Sequence, residues 1–153
     1  MNDIYNVDQY DPPKTIGYLV NRARSEIFAA LDLGLSQDVE LAALEMTAAQ
    51  YIVLGSIWDR DPDSSARICR DLSYDPGAMT RMIDRLEAKG LVQRRRCPDD
   101  RRLVNLELTE KGQAVMPKMR ACSVKILNRL LRGFSADEAH LLERLLARMV
   151  ENR

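Results

Sequence analysis

The chain has 153 residues, 46% of them apolar, which suits one packed domain of ordinary globular composition. No apolar run reaches the roughly 18 residues of a membrane span and no secretory signal pattern precedes the first charges, so a cytoplasmic protein with no membrane partner is expected. Its 23 basic and 23 acidic residues divide unevenly, 3 against 9 in residues 1–59, 11 against 8 in 60–102 and 9 against 6 in 103–153, so any binding to nucleic acid must rest on a local basic face.

The first 13 residues, MNDIYNVDQYDPP, are polar, hold two prolines and lack helical periodicity, which predicts an extended arm. Thr15 can cap a helix through about Leu33. Ile16, Leu19, Val20, Ala23, Ile27, Ala30 and Leu31 line one face of it, and Gly34 is the expected stop. Ser36 to Glu45 is apolar enough for a short helix but closely bounded on both sides, and its state stays open. Thr47-Ala48-Ala49-Gln50 has capping-box spacing and opens a helix to about Asp59, with Tyr51, Leu54, Ile57 and Trp58 as apolar contacts. Asp61-Pro62-Asp63 breaks the chain, and Ser64 or Ser65 can start a short helix through Leu72.

Asp75 then offers a capping oxygen, and Pro76 takes the first helical position, where a missing N–H costs little. Met79, Met82, Ile83 and Leu86 recur at helical spacing, Gly90 suits the left-handed C-terminal residue, and Thr80, Arg81, Asp84 and Arg85 occupy the opposite face. Two helices joined through Ser73-Tyr74-Asp75 make a helix-turn-helix. The period changes to two in Leu91–Arg96 and Leu103–Leu108, with a turn at Pro98-Asp99-Asp100. Five arginines surround that turn: Arg94, Arg95, Arg96, Arg101 and Arg102. A helix with a cationic face followed by such a hairpin can enter a major groove and reach the neighbouring backbone or minor groove.

Thr109 caps a long helix with Val115, Met119, Cys122, Ile126 and Leu130 on one stripe, which Pro117 is expected to interrupt with a kink. Gly133 ends it. Ser135-Ala136-Asp137-Glu138 is another capping-box spacing, and Leu142, Leu145, Leu146, Met149 and Val150 mark a last amphipathic helix. The helices over 15–33, 109–132 and 135–151 carry more apolar stripe than one small lobe can cover, which predicts a homodimer.

The ordered run RMIDRLEAKGLVQRRRCPDDRRLVNLELTEKG resembles the winged helix-turn-helix of the MarR family of bacterial transcription regulators. It contains that family's Arg-Leu-Glu-x-x-Gly-Leu-Val helix end, its Asp-Arg-Arg wing and its Leu-Thr-Glu-Lys-Gly opening of the next helix. More diffusely, the order of elements fits over residues 15–150. The resemblance implies a mainly α fold with a small β-hairpin wing, divided into an arm (1–14), dimerisation helices (15–46 and 110–153) and a winged helix-turn-helix lobe (47–109). It also implies a sequence-specific DNA-binding repressor, whose two recognition helices meet successive major-groove faces of a palindromic operator, with half-sites ~10 bp apart.

Site residues follow from position and resemblance together. Gly77, Thr80 and Arg81 are candidates for base-edge or phosphate contact, and Ser73 and Arg85 for phosphate. Asp100-Arg101-Arg102 matches the family's Asp-x-Arg wing, which makes Arg102 the minor-groove residue and Asp100 its orienting partner, with Arg101 beside them. Asp84 is expected to pair locally with Arg81 or Arg85. Family members respond to small anionic or aromatic effectors, and Arg22, Arg24 and Phe28 with Tyr51 and Trp58 are the candidates for a cation and aromatic walls. No cysteine precedes Cys69 and the only tryptophan is Trp58, so the first-helix cysteine of the organic-peroxide sensors and the first-helix tryptophan of the urate-type sensors are both missing.

Cys69, Cys97 and Cys122 form no CxxC and no Cys/His cluster, so neither a structural disulfide nor a metal or other cofactor is expected. His140 is the sole histidine, with no nucleophile motif around it and no phosphate-binding glycine loop elsewhere, which argues against an enzyme. The alternative is a winged helix that binds a protein instead of DNA. Five arginines around the turn favour DNA.

Overall fold

The computed structural model of the chain describes residues 3–59, 63–96 and 104–152. In chain order its elements are α1 (Ile16–Ser36), α2 (Val39–Ala43), α3 (Ala48–Trp58), β1 (Asp63–Ser64), α4 (Ser65–Asp71), α5 (Pro76–Ala88), β2 (Val92–Arg96), β3 (Val104–Leu108), α6 (Glu110–Leu130) and α7 (Ala136–Glu151). The helix starts obey local capping chemistry. Thr15, Thr47, Asp75, Thr109 and Ser135 each accept a backbone N–H from the first turn they precede, and Thr47/Gln50 and Ser135/Glu138 complete reciprocal capping boxes. Asp38 does the same for α2, so the open stretch 36–45 contains a five-residue helix. Gly90 and Gly133 take positive φ, 71° and 95°, where a side chain would be strained.

Three expectations change. Gly34 does not stop α1, which runs two residues further; a Cβ there would lie 2.6 Å from Ile126 Cδ1 and 2.7 Å from Cys122 Sγ, so the glycine serves the close crossing of α1 and α6. The arm is not simply extended, because it makes single 3-10 turns at Val7–Gln9 and Pro12–Lys14, and the Tyr5 hydroxyl accepts the Ile16 N–H at 2.9 Å. α6 runs through Pro117 to Leu130, with the proline on its exposed side. The hairpin also gains a third strand: β1 pairs antiparallel with β3, giving the order β1-β3-β2. Two residues are too few for a period to register in the sequence.

One core holds the lobe together. Leu54 and Ile57 of α3, Ile68 of α4, Ile83 and Leu86 of α5 and Leu106 of β3 are at most 2% exposed and belong to a single cluster that α6 joins through Met116 and Met119. A smaller cluster, Leu31, Ala48 and Ile126, links α1 to α3 and α6. By contrast α7 has no buried residue, and Leu141, Leu142, Leu145, Leu146, Met149 and Val150 are 36–54% exposed. Ile16, Leu19 and Val20 at the start of α1 are also exposed. No helix among the described residues is long and apolar enough to cross a membrane.

Candidate nucleic-acid interface

α5 is amphipathic in the expected sense. Met79, Ile83 and Leu86 are buried, whereas Gly77, Thr80, Arg81, Asp84 and Arg85 are exposed. Asp75 Oδ1 accepts the Ala78 N–H at 2.9 Å, and Pro76 occupies the first turn. The Thr80 hydroxyl donates to the Pro76 carbonyl at 2.9 Å, which spends its proton within the helix and leaves its lone pairs to accept from outside. A Cβ on Gly77 would lie 3.2 Å from Asp75 Oδ1 and 3.5 Å from Arg81 Nη1, so the Arg81 guanidinium lies over the first turn.

The turn before α5 is tight. Ser73 has φ 52°, the Tyr74 N–H returns to the Cys69 carbonyl at 3.0 Å, and the Cys69 thiol donates to the Tyr74 carbonyl at 2.9 Å. Ser73 is thereby held exposed at the mouth of α5. Ser73, Gly77, Thr80 and Arg81 share this end of α5, and Arg85 follows one turn beyond Arg81 on the same exposed side.

The hairpin pairs Val92 with Leu108 through Arg96 with Val104. Its arginines are not equivalent. Arg94 Nη2 donates to Asp84 Oδ1 at 2.6 Å, its Nη1 pairs with Glu87, and its backbone N–H donates to Glu87 Oε1 at 3.3 Å. Asp84 therefore pairs with neither Arg81 nor Arg85: the chain reverses after Gly90 and brings β2 back beside α5, where a planar guanidinium can span carboxylates three residues apart. Arg95 Nε meets Glu107 Oε2 at 2.8 Å across the ladder, and Gln93 Nε2 donates to the same oxygen at 3.2 Å. Arg96 is exposed and makes no ion pair among the described residues. The wing residues Asp100, Arg101 and Arg102, like Cys97, lie outside the described residues.

The five effector candidates divide between places. Arg24 stacks on Phe28 with its guanidinium carbon 4.6 Å from the ring centroid, and Phe28 packs against the smaller cluster. Tyr51 and Trp58 are half-buried against the main core, and Arg22 is exposed. A cavity of about 750 Å³ opens elsewhere, between the end of α1, α2 and α6. Leu33, Leu41 and Ile126 give it an apolar side, Lys125, Arg129 and Arg132 a cationic one, and none of the five candidates lines it. Cys122 is on its wall, and burial pushes that thiol up from its ordinary value. The convergence of these basic residues depends on how α1 crosses α6, so no local signal in the sequence marks it. Among the described residues no group of three or more His, Cys, Asp or Glu side chains is placed to hold a metal.

The MarR family model matches residues 46–104, from the last residue before the α3 cap to the first residue of β3. The chain is 33% identical to ligand-free MarR from E. coli, over 88% of this chain and 96% of that one, with a TM-score of 0.72. A cysteine-to-serine variant of MarR from E. coli, solved in complex with operator DNA, is 32% identical over 92% of this chain and 99% of its own, with a TM-score of 0.77. BpsR from Bordetella bronchiseptica, whose DNA binding is regulated by 6-hydroxynicotinic acid, is 25% identical over 94% and 99%, with a TM-score of 0.80. Identity at this level, spread over nearly the whole of MarR and centred on a helix-turn-helix with a paired wing, establishes that the chain belongs to the MarR family of DNA-binding transcriptional regulators.

Proposed function

We propose that the protein is a homodimeric repressor that binds palindromic operators, with α5 in the major groove and the hairpin reaching towards the minor groove. The observation that carries this reading is the exposed face of α5, where Thr80, Arg81 and Arg85 stand clear of the core that holds Met79, Ile83 and Leu86. A relative solved on operator DNA supports it. In this reading Gly77, Thr80 and Arg81 meet base edges or phosphate, Ser73 and Arg85 meet phosphate, and Arg102, oriented by Asp100 and flanked by Arg101, enters the minor groove. The uncovered apolar face of α7 supports assignment of residues 15–46 and 110–153 to the dimer and of residues 47–109 to the DNA-binding lobe. Selection of bound fragments from the organism's own genome tests the reading. Enriched fragments should share a palindrome with half-sites ~10 bp apart, and recovery of unrelated sequences would refute it.

We further infer that a small anionic or aromatic molecule releases the DNA, as BpsR responds to 6-hydroxynicotinic acid. The cavity between α1, α2 and α6 supports this better than the Arg22, Arg24, Phe28, Tyr51 and Trp58 set, because it combines apolar walls with Lys125, Arg129 and Arg132, which outnumber the one carboxylate on its wall, Asp38, and form no salt bridge among the described residues. Aromatic carboxylates should weaken operator binding, and Lys125→Ala with Arg129→Ala should blunt that response more than Arg24→Ala does.

A further inference from the structure

The C-terminal end of α5 is bonded to two other parts of the fold. Lys89 caps the helix, and its ammonium donates to the Glu45 carbonyl at 2.8 Å and to Gln50 Oε1 at 2.9 Å. Both acceptors flank the junction of α2 and α3, 44 and 39 residues earlier in the chain. They are fixed in advance: Glu45 has φ 48°, and Gln50 is 5% exposed with its Oε1 also accepting the Thr47 N–H of the capping box. On the other side, the Lys89 carbonyl accepts from Lys111 Nζ at 2.8 Å, the Gly90 carbonyl from the Thr109 hydroxyl at 2.6 Å and the Leu91 carbonyl from the Thr109 N–H at 3.1 Å. The recognition helix is thus seated between the segment that follows α1 and the first turn of α6.

We propose that Lys89 is a positioning residue for DNA recognition, whose bonds to Glu45, at the end of the dimer segment, and to Gln50, at the start of the DNA-binding lobe, set the angle at which that junction carries α5, and so the distance between the two recognition helices of a dimer. The proposal rests on the homodimer reading above. Lever geometry gives it force. α5 has 13 residues and is therefore ~20 Å long, with Gly77, Thr80 and Arg81 near the end remote from Lys89. A pivot of ~10° at Lys89 moves that end by ~3 Å, enough to break a hydrogen bond to a base edge. Phosphate contacts through long arginine stems tolerate such a shift, so loss of the bonds should cost specificity before it costs general affinity.

The test uses the full chain, a selected operator, versions of it with the half-sites moved one or two base pairs closer or further apart, and a random duplex. Lys89→Met keeps the apolar stem and removes the donors. It should remain dimeric, bind the operator on the order of tenfold more weakly, lose its preference for one spacing and bind random duplex as the parent does. Lys89→Arg, which keeps charge and donors, should recover the spacing preference. If Lys89→Met fails to form a dimer, Gln50→Met removes one acceptor and is read in the same way. A parent that prefers its operator together with a Lys89→Met protein of unchanged spacing preference overturns this proposal alone, as does an equal loss on operator and random duplex. A parent without any preference among duplexes overturns the DNA-binding reading and this proposal with it.

Discussion

Arg94 of β2 and Asp84 of α5 meet at 2.6 Å, and Glu87 holds the other arm of the same guanidinium, so the wing is latched to the recognition helix by one of its own arginines. Arg94 is thereby set apart from the arginines available to DNA. Arg94→Ala should lower stability by no more than about 1 kcal/mol, because the pair is partly exposed, yet reduce the operator-to-random binding ratio by freeing the hairpin. Lys at this position should not restore the ratio, since a point charge cannot grip both carboxylates as a planar fork does. Denaturant midpoints and fluorescence anisotropy on the two duplexes check this. An equal loss on both duplexes with a salt slope smaller by about one would instead make Arg94 a phosphate contact.

Two glycines on α6 contacts should respond differently to a methyl group. A Cβ on Gly112 would meet the Leu91 carbonyl oxygen at 2.1 Å, a backbone atom fixed by the hairpin, whereas one on Gly34 meets the movable ends of Ile126 and Cys122. Gly112→Ala should therefore cost at least about 1–3 kcal/mol, the scale of overpacking. Gly34→Ala should cost less, because side chains can yield and alanine improves the helix by up to about 1 kcal/mol. Urea unfolding of both variants decides the order.

What the sequence made legible was chiefly what neighbours along the chain decide. Asp75-Pro76, Thr47 to Gln50, Ser135 to Glu138 and Gly90 act within one turn, so their types and spacing sufficed. Gly34 was misread because its reason is Ile126, far away in sequence. Asp84 was given a partner on its own helix since helical spacing offers Arg81 and Arg85, and only the chain reversal brings Arg94 within reach. Lys89 was not singled out by any local pattern. Its acceptors at Glu45 and Gln50 become neighbours only once α3 and α5 share a core.

The capping box of α7 makes a pH prediction. The Ser135 backbone N–H, and secondarily its hydroxyl, hold the Glu138 carboxyl below its ordinary value of 4.5. A carboxyl whose pKa falls on folding adds stability above its unfolded value and loses it as pH drops through the folded one. The contribution is thus present at neutral pH and lost in acid below about 4.5. Glu138→Gln should abolish that part of the acid response of helicity, and a carboxyl titration by NMR should place the Glu138 midpoint below that of an ordinary glutamate.

The wing and the recognition helix should separate reading from positioning. Arg102→Ala is expected to weaken operator binding by about 1–3 kcal/mol while leaving the dimer intact, and Asp100→Ala to act as a milder version of it. Arg85→Ala should weaken all duplexes alike and reduce the salt slope by about one. Titrations on operator and random duplexes at two or more salt concentrations distinguish the three.

The central claim is that two copies, joined through the exposed apolar faces of α7 and the start of α1, hold one palindrome between them. Sedimentation of the protein alone, with its selected operator, and after deletion of residues 135–153 tests it most directly. A dimer at micromolar concentration, two chains per operator, and dissociation or aggregation with loss of affinity in the truncated form are the predicted results. A monomer that binds one chain per palindrome, or a truncated protein that stays a soluble dimer with unchanged affinity, would contradict it.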